Sequence, residues 1–287
     1  LQNYHDLMEY ILEKGVERPD RTSVGASKFV PAQTLTWDLA EGFPIITTRR
    51  VPFRIAFEET MFFLRGETDT TKLEQKRIHI WKDNTSREFL DSKNLQHLPV
   101  GSLGTGYSHQ WRNFGGEVGK PDTGVDQIRD MINEMQTNPT SRRHVVSAWN
   151  PTQLPGTPLP PCHLMHMYTV DPVNNLLHSS FIMRSNDVPF GLPFNIMGYA
   201  FLNHAFSAIL GLTPGTLTYF AQDAHIYKNQ YEMVEEQLTR IPKTLPRFNF
   251  KKKLETFDDL LALEFEDVEI IGYDPYPDIA DKPAMAV

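Results

Sequence analysis

The single cysteine of this 287-residue chain, Cys162, stands in the run Pro-Leu-Pro-Pro-Cys-His over residues 158–163. A lone cysteine is often only a small hydrophobe, here behind a strand entrance stiffened by two prolines. It becomes a candidate nucleophile when suitable partners exist elsewhere in the chain. Two adjacent acids, Glu58 and Glu59, offer acid–base chemistry, and spacing separates them. Glu58 lies four residues after Arg54 and seven before Arg65, on a polar flank suited to a solvated ion pair. Glu59 lies between Ala56 and Phe63 at the edge of an apolar face, where burial would raise its pKa towards proton shuttling. The stretch "RSNDVPFGLPFN", residues 184–195, gathers Arg184, Ser185, Asp187 and Asn195 around two prolines and a glycine. That is more oriented polarity than a strand end and a turn require. By itself "SRR", with Arg142 and Arg143, reads as a solvated charge pair. Two other chemistries stay open at this level. A metal site on Cys162, His163 and His166 lacks further close ligands, and a cysteine hydrolase would need a remote His, an Asp and an oxyanion site.

The elements that must position these residues follow from periodicity. Tyr4, Met8, Ile11 and Leu12 predict an opening helix ended by Gly15, and Pro52 opens a second that closes near Gly66. "AQTLTWDLAEGFPIITT" predicts strands on both sides of a Gly-Phe-Pro turn. Residues 82–124 are polar and glycine-broken, which predicts long surface loops; Val125 to Met135 predict a further helix. "RHVVSAW", "HLMHMYTV", "LLHSSFIM" and "GTLTYFAQ" predict strands, the apolar segment from Asn195 to Gly211 a buried helix, and "YKNQYEMVEEQLTR" a solvated one. The tail from Tyr273 reads as irregular. No internal repeat, low-complexity tract or linker appears, so the expectation is one domain over 1–287, of mixed α and β elements with a large mixed sheet flanked by helices. A formal net charge of −8 argues against gripping nucleic acid by overall charge. One cysteine, no apolar run near the ~20 residues of a membrane span and no signal-like N-terminus predict a soluble protein of a reducing compartment.

"PDRTSVG", "GFPIITTRR", "FFLRGETD", "IHIW", "LGTGYSHQWRNFGG", "SRRHVVSAWNP", "LPPCH", "RSNDVPFGLPFN", "DAHIY" and "AMAV" occur in one order from end to end. Together they resemble the thymidylate synthases and the related enzymes that hydroxymethylate pyrimidine nucleotides. The resemblance implies a one-carbon transfer from 5,10-methylenetetrahydrofolate, a co-substrate, to C5 of a deoxypyrimidine monophosphate, with no metal. C5 of uracil is a poor nucleophile until a thiolate adds at C6, and Cys162 matches that thiolate. A thiol of ordinary pKa near 8.5 needs positive charge to ionise at neutral pH, which Arg184 and the "SRRH" arginines are of a type to supply. Arg21, Arg142, Arg143, Arg184 and Ser185 match the phosphate site. Arg142 and Arg143 reach across a dimer interface in the family, which implies a homodimer.

Asn195 matches the residue that reads the base, its carboxamide complementing N3–H and O4 of uracil, so the implied substrate is dUMP. His225 and Tyr227 match the pair that bonds the deoxyribose 3′-hydroxyl. Glu59 matches the acid–base group, and Tyr107 the tyrosine near the departing C5 proton. Trp81 and Phe194 match walls of the folate slot. Asp187 matches the pterin-bonding carboxylate and belongs to the expected catalytic set. Val287 ends a tail matching one that closes over the folate. Departures from the commonest pattern stand at Met183, Asn186, Met197, Gly198, Ala221, Gln222 and Ala224, around the expected base and folate pocket. They leave two products in view. Hydride transfer gives dTMP and dihydrofolate; water addition gives 5-hydroxymethyl-dUMP. Trp81, Tyr107 and the "AMAV" tail favour the first. The expected location is the cytoplasm, a host's if the gene belongs to a phage.

Overall fold

The computed structural model describes residues 1–20, 22, 24–280 and 283. Its first helix, α1 (Gln2–Lys14), buries Tyr4, Leu7, Met8 and Ile11 on one stripe. It stops at Gly15, where a Cβ would lie 2.3 Å from the Ile11 carbonyl oxygen. β1 (Val16–Pro19) and β2 (Ala26–Asp38) follow as an antiparallel pair. The expected second strand after the Gly-Phe-Pro turn does not form. Residues 43–48 are buried without joining a ladder, because their backbone groups are met singly. Phe43 N donates to Pro246 O, the Tyr273 hydroxyl to Ile46 O, Tyr276 N to Thr47 O and Arg240 Nη1 to Thr48 O.

α2 (Phe53–Leu64) runs from Pro52 to a left-handed Gly66 at φ 71°. α3 (Thr71–Gln75), α4 (Arg87–Ser92) and α5 (Tyr107–Asn113) come next, so the stretch expected as long loops holds two short helices. Ser86 caps α4 by accepting from Phe89 N. α5 buries polar residues as well as apolar ones, and Gln110 Nε2 donates to Thr105 O and Gln153 Oε1. Tertiary burial therefore made a helix that apolar periodicity could not show. α6 (Gln127–Thr137), β3 (Val145–Ser147), β4 (His163–Asp171), β5 (Leu176–Met183) and β6 (Asn186–Asp187) lead to the buried α7 (Gly191–Leu210). The long β7 (Thr213–Tyr227), α8 (Tyr231–Leu238), β8 (Arg247–Phe250), α9 (Phe257–Leu261) and β9 (Val268–Ile271) complete the order. From Gly272 to Ala280 the tail has no strand or helix, as expected.

The mixed sheet has seven strands in the order β1-β2-β7-β5-β4-β3, with β6 also on β7. Only the β5–β7 and β6–β7 pairs are parallel. On its inner face His166, Phe181 and Tyr219 lie side by side beneath the helices, each nearly inaccessible to water. The opposite face carries half-exposed rows such as Met165, Ile182 and Phe220. α7 is apolar all round because it is surrounded by core. It crosses α2 closely: Phe57 meets Phe201 edge-on at 5.1 Å, and a Cβ at Gly198 would lie 2.8 Å from Thr60 Oγ1. These contacts fix α2 beside the inner end of β4, where the candidate site lies. Among the described residues no helix is long and apolar enough to cross a membrane.

Candidate active site

Cys162 immediately precedes β4 and is half-buried. The two prolines before it offer carbonyls and no donors, and Arg184 takes both: its Nε donates to Pro161 O and its Nη2 to Pro160 O, each at 2.8 Å. The same Nη2 lies 3.7 Å from Cys162 Sγ, and Arg184 N donates to Cys162 O at 2.9 Å. The arginine thus holds the approach to the cysteine and sets positive charge beside its sulfur. From the other side the Tyr107 hydroxyl accepts from Cys162 N at 2.7 Å. Burial, then the charge of Cys162, pushes the Tyr107 phenol well above its ordinary value. It stays protonated. A register slip between His163 and Met165 in the β4–β5 ladder lies directly beside the cysteine.

Glu59, on α2, accepts from Trp81 Nε1 at 2.9 Å. Burial pushes its carboxyl up to about 7, with the Trp81 bond opposing. It faces a cavity of about 20 Å³ lined also by Phe63, His163, Phe194, Asn195 and Tyr199, a volume sufficient for a water molecule. His163 stacks on Tyr107 at 4.1 Å between ring centres and shares a 2.7 Å hydrogen bond with the Tyr199 hydroxyl. Burial holds its imidazole down to about 3, so it is neutral here. Glu58 departs from the solvated ion pair expected with Arg54 and Arg65. It is 5% exposed and binds Lys76 Nζ at 2.7 Å, while Arg54 and Arg65 turn to the backbone carbonyls of Lys76, Leu261 and Leu263. α3 brings Lys76 there, a contact no spacing within α2 reveals.

On β7, His225 Nδ1 bonds Asp223 Oδ1 at 2.9 Å, and Arg18 pairs with the same carboxylate at 2.6 Å. Burial would raise Asp223, but these two partners hold it below the usual carboxylate range. Tyr227 meets the edge of the His225 ring at 4.9 Å. Asp187 accepts from Phe190 N and from Gln230 Nε2. Burial pushes it up despite the nearby His225. Phe194 and Asn195 stand half-buried on the first turn of α7, and Asn195 Oδ1 accepts from Asn186 Nδ2 at 3.3 Å. Ser185 is half-buried between β5 and β6.

The fold therefore gathers Cys162, Tyr107, Arg184, Glu59, Trp81, Phe194 and Asn195 at one end of α2 and α7. No hydrogen bond among the described residues brings Arg142 and Arg143 to them; both are exposed ahead of β3 and make no ion pair there. Arg21 and Val287 lie outside the described residues. The departures expected around the pocket divide. Met183, Met197, Ala221 and Ala224 are buried core and Gln222 is exposed, whereas Gly198 lines the cavity and Asn186 bonds Asn195. Sequence reasoning gave no catalytic place to His163, Tyr199, Asp223 or Tyr219. Two of them carried a signal: His163 by its position next to the cysteine, and Asp223 as the first residue of "DAHIY". Among the described residues no group of three or more His, Cys, Asp or Glu is placed to hold a metal ion.

The sequence profile described as thymidylate synthase matches residues 2–285. The chain belongs to the thymidylate synthase family. It is 40% identical over 287 residues to the thymidylate synthase of equine herpesvirus 2, covering 98% of this chain and 97% of the viral protein. It is 39% identical over 289 residues to human thymidylate synthase, covering 99% and 90%. A probable thymidylate synthase of Schizosaccharomyces pombe is 39% identical over 296 residues, which is 99% of this chain and 47% of that protein. The chain thus spans about half the length of the yeast relative and nearly all of the viral one. The seven-stranded mixed sheet with flanking helices is the family's fold, and members of the family are folate-dependent one-carbon transferases.

Proposed function

We propose that this chain transfers a one-carbon unit from 5,10-methylenetetrahydrofolate to C5 of dUMP, giving dTMP and dihydrofolate. The observation that carries the reading is the cysteine held between Arg184 and Tyr107 beside a carboxyl poised at about 7. Cys162 adds as thiolate to C6, which gives C5 the electron density to attack the one-carbon unit; Arg184 at 3.7 Å favours the anion. Glu59, with both protonation states populated near neutrality, exchanges protons with O4 through the cavity it lines. Tyr107, being protonated, serves the departing C5 proton as a hydrogen-bonding relay rather than as a phenolate base.

Asn195 reads N3–H and O4. His225, oriented by Asp223, and Tyr227 hold the 3′-hydroxyl. Arg21, Arg184 and Ser185 take the phosphate. Folate, when bound, supplies the one-carbon unit and the hydride; Trp81 and Phe194 form its aromatic walls, and Asp187 bonds the pterin. The buried aromatic surround of Phe63, Trp81 and Tyr107 is suited to keeping water from the intermediate, which supports methyl over hydroxymethyl product. Arg142 and Arg143 complete the phosphate site of a second copy in a homodimer. Supporting that assembly, the outer rows of the sheet, Met165 to Phe220 and Met167 to Thr218, are only partly buried. A working thiol also suits a reducing compartment such as the cytoplasm.

The test is incubation with dUMP and methylenetetrahydrofolate, with the nucleotide product identified by mass and dihydrofolate followed by absorbance. dTMP and dihydrofolate in equal amounts are expected. 5-Hydroxymethyl-dUMP without dihydrofolate overturns the hydride step, and no nucleotide product overturns the reading.

A further inference from the structure

Asn195 is held from behind by two side chains outside the expected site. Its Oδ1 accepts from Asn186 Nδ2 at 3.3 Å, and Asn186 Oδ1 accepts from the Tyr219 hydroxyl at 2.9 Å. Asn186 is 3% exposed and Tyr219 wholly buried on the inner face of β7. Burial, with Asp223 adding to it, pushes the Tyr219 phenol far above its ordinary value, so the hydroxyl keeps its proton. That proton needs an acceptor, and Asn186 Oδ1 is the one placed for it. The requirement gives the relay a direction. If Asn186 turned its amide over, the buried hydroxyl would face an NH₂ group, from which it can only accept, and its own proton would lose the acceptor. Asn186 therefore presents NH₂ to Asn195, and Asn195 answers with its carbonyl oxygen. Room for the pair comes from Gly191, where a Cβ would lie 3.2 Å from Asn186 Nδ2 and 3.8 Å from Asn195 Oδ1.

We propose that Asn186, anchored by Tyr219, is a positioning residue that selects uracil over cytosine by locking the carboxamide of Asn195 in one of its two orientations. This rests on Asn195 being the base-reading residue. In the locked orientation the remaining lone pair of Oδ1 can accept from N3–H, and Nδ2, which bonds to none of the described residues, can donate to O4. Cytosine presents an acceptor at N3 and a donor at the 4-amino group. To read it Asn195 must turn over, which sets its NH₂ against that of Asn186, two donors with no acceptor between them. The discrimination thus comes partly from a contact that never touches the nucleotide.

The experiment measures the dissociation constants of dUMP and dCMP by calorimetry for the full chain and for Asn186→Ala, Asn186→Asp and Tyr219→Phe, with a melting curve for each. Asn186→Ala should lower the preference for dUMP about tenfold, the loss of one hydrogen bond's discrimination. Asn186→Asp should lower it further, since a carboxylate accepts from Asn195 Nδ2 and favours the turned-over amide. Tyr219→Phe should lower it severalfold, and it carries the test if the Asn186 variants do not fold. A dUMP-to-dCMP ratio within about twofold of the parent's in every folded variant, whatever the melting points, overturns the proposal and leaves Asn186 a packing residue. If the parent chain binds neither nucleotide, the reading of the site itself has failed and this proposal with it.

Discussion

The base end and the phosphate end of the candidate site are built on opposite principles. At the base end one chain supplies every group: Glu59, His163 and Asn195, from α2, β4 and α7, line a water-sized cavity, with Trp81 bonded to Glu59 and Tyr107 stacked on His163. Its histidine is driven neutral and its carboxyl half-neutral by burial. At the phosphate end Arg184 commits Nε and Nη2 to Pro161, Pro160 and Cys162, which leaves Nη1 for a phosphate, while Arg142 and Arg143 stand exposed and make no ion pair among the described residues. Proton transfer needs groups whose pKa values are moved by dry surroundings, which a single core can enclose. A phosphate dianion needs several cations, and gathering them in one core without their counterion would carry a heavy desolvation cost. The proposed second copy resolves this by bringing two arginines only when the dimer forms.

The largest expected effect breaks the base end outright. Cys162→Ala should lower turnover by at least ~10⁴-fold, the scale of losing a covalent nucleophile, while dUMP still binds. Single-turnover kinetics and calorimetry check the two halves, and retention of most activity would sink the proposed role. Glu59→Gln comes next, with an expected loss of ~10²–10⁴-fold in turnover and of an ionisation near pH 7 in the rate profile. The sign of its stability effect is also set. Glu59 is raised from 4.5 to about 7 in the folded chain, so the folded state holds the extra proton and stability falls as pH rises through that window. Glu59→Gln should therefore be the more stable protein above pH 7, by at most about 3 kcal/mol, and should lose that advantage below pH 4.5. Denaturant melts at the two ends of the range decide it.

The smallest effect sharpens the phosphate end. Arg142→Ala with Arg143→Ala should weaken dUMP binding by ~10–100-fold and leave the fold intact, since both side chains are exposed. Mixing that protein with Cys162→Ala after reversible dissociation should restore about a quarter of parental activity, because half of the random dimers hold one intact site. No recovery in a preparation shown to contain mixed dimers would assign both arginines to their own chain's site.

How far the sequence was legible differs between the two ends as well. The helices at Gln2–Lys14 and Phe53–Leu64 and the strands His163–Asp171 and Leu176–Met183 carry their own periodicity, so they were readable. The segment 43–48 misled because apolar residues satisfied by isolated bonds look, in one dimension, like a strand. α5 hid because its polar residues bond across the core. Cys162 and the adjacent acids showed by type what chemistry they could do, and the place of Glu59 on the helix foretold that burial would raise it, while the burial of Glu58 was not foretold.

What the sequence determined by itself is the family, through ordered motifs spread over nearly the whole chain, and with it the folate-dependent one-carbon chemistry of that family's members. What only the tertiary structure decided is how each group is tuned. That Arg184 grips the carbonyls of Pro161 and Pro160, that His163 shares a bond with Tyr199, and that Tyr219 reaches through Asn186 to Asn195 depend on contacts between residues 23 and 24, 36, and 33 and 9 positions apart along the chain. Residue type sets what a side chain can donate, accept or ionise. Its protonation and orientation depend on burial and on distant partners, which exist only once the sheet and helices have packed.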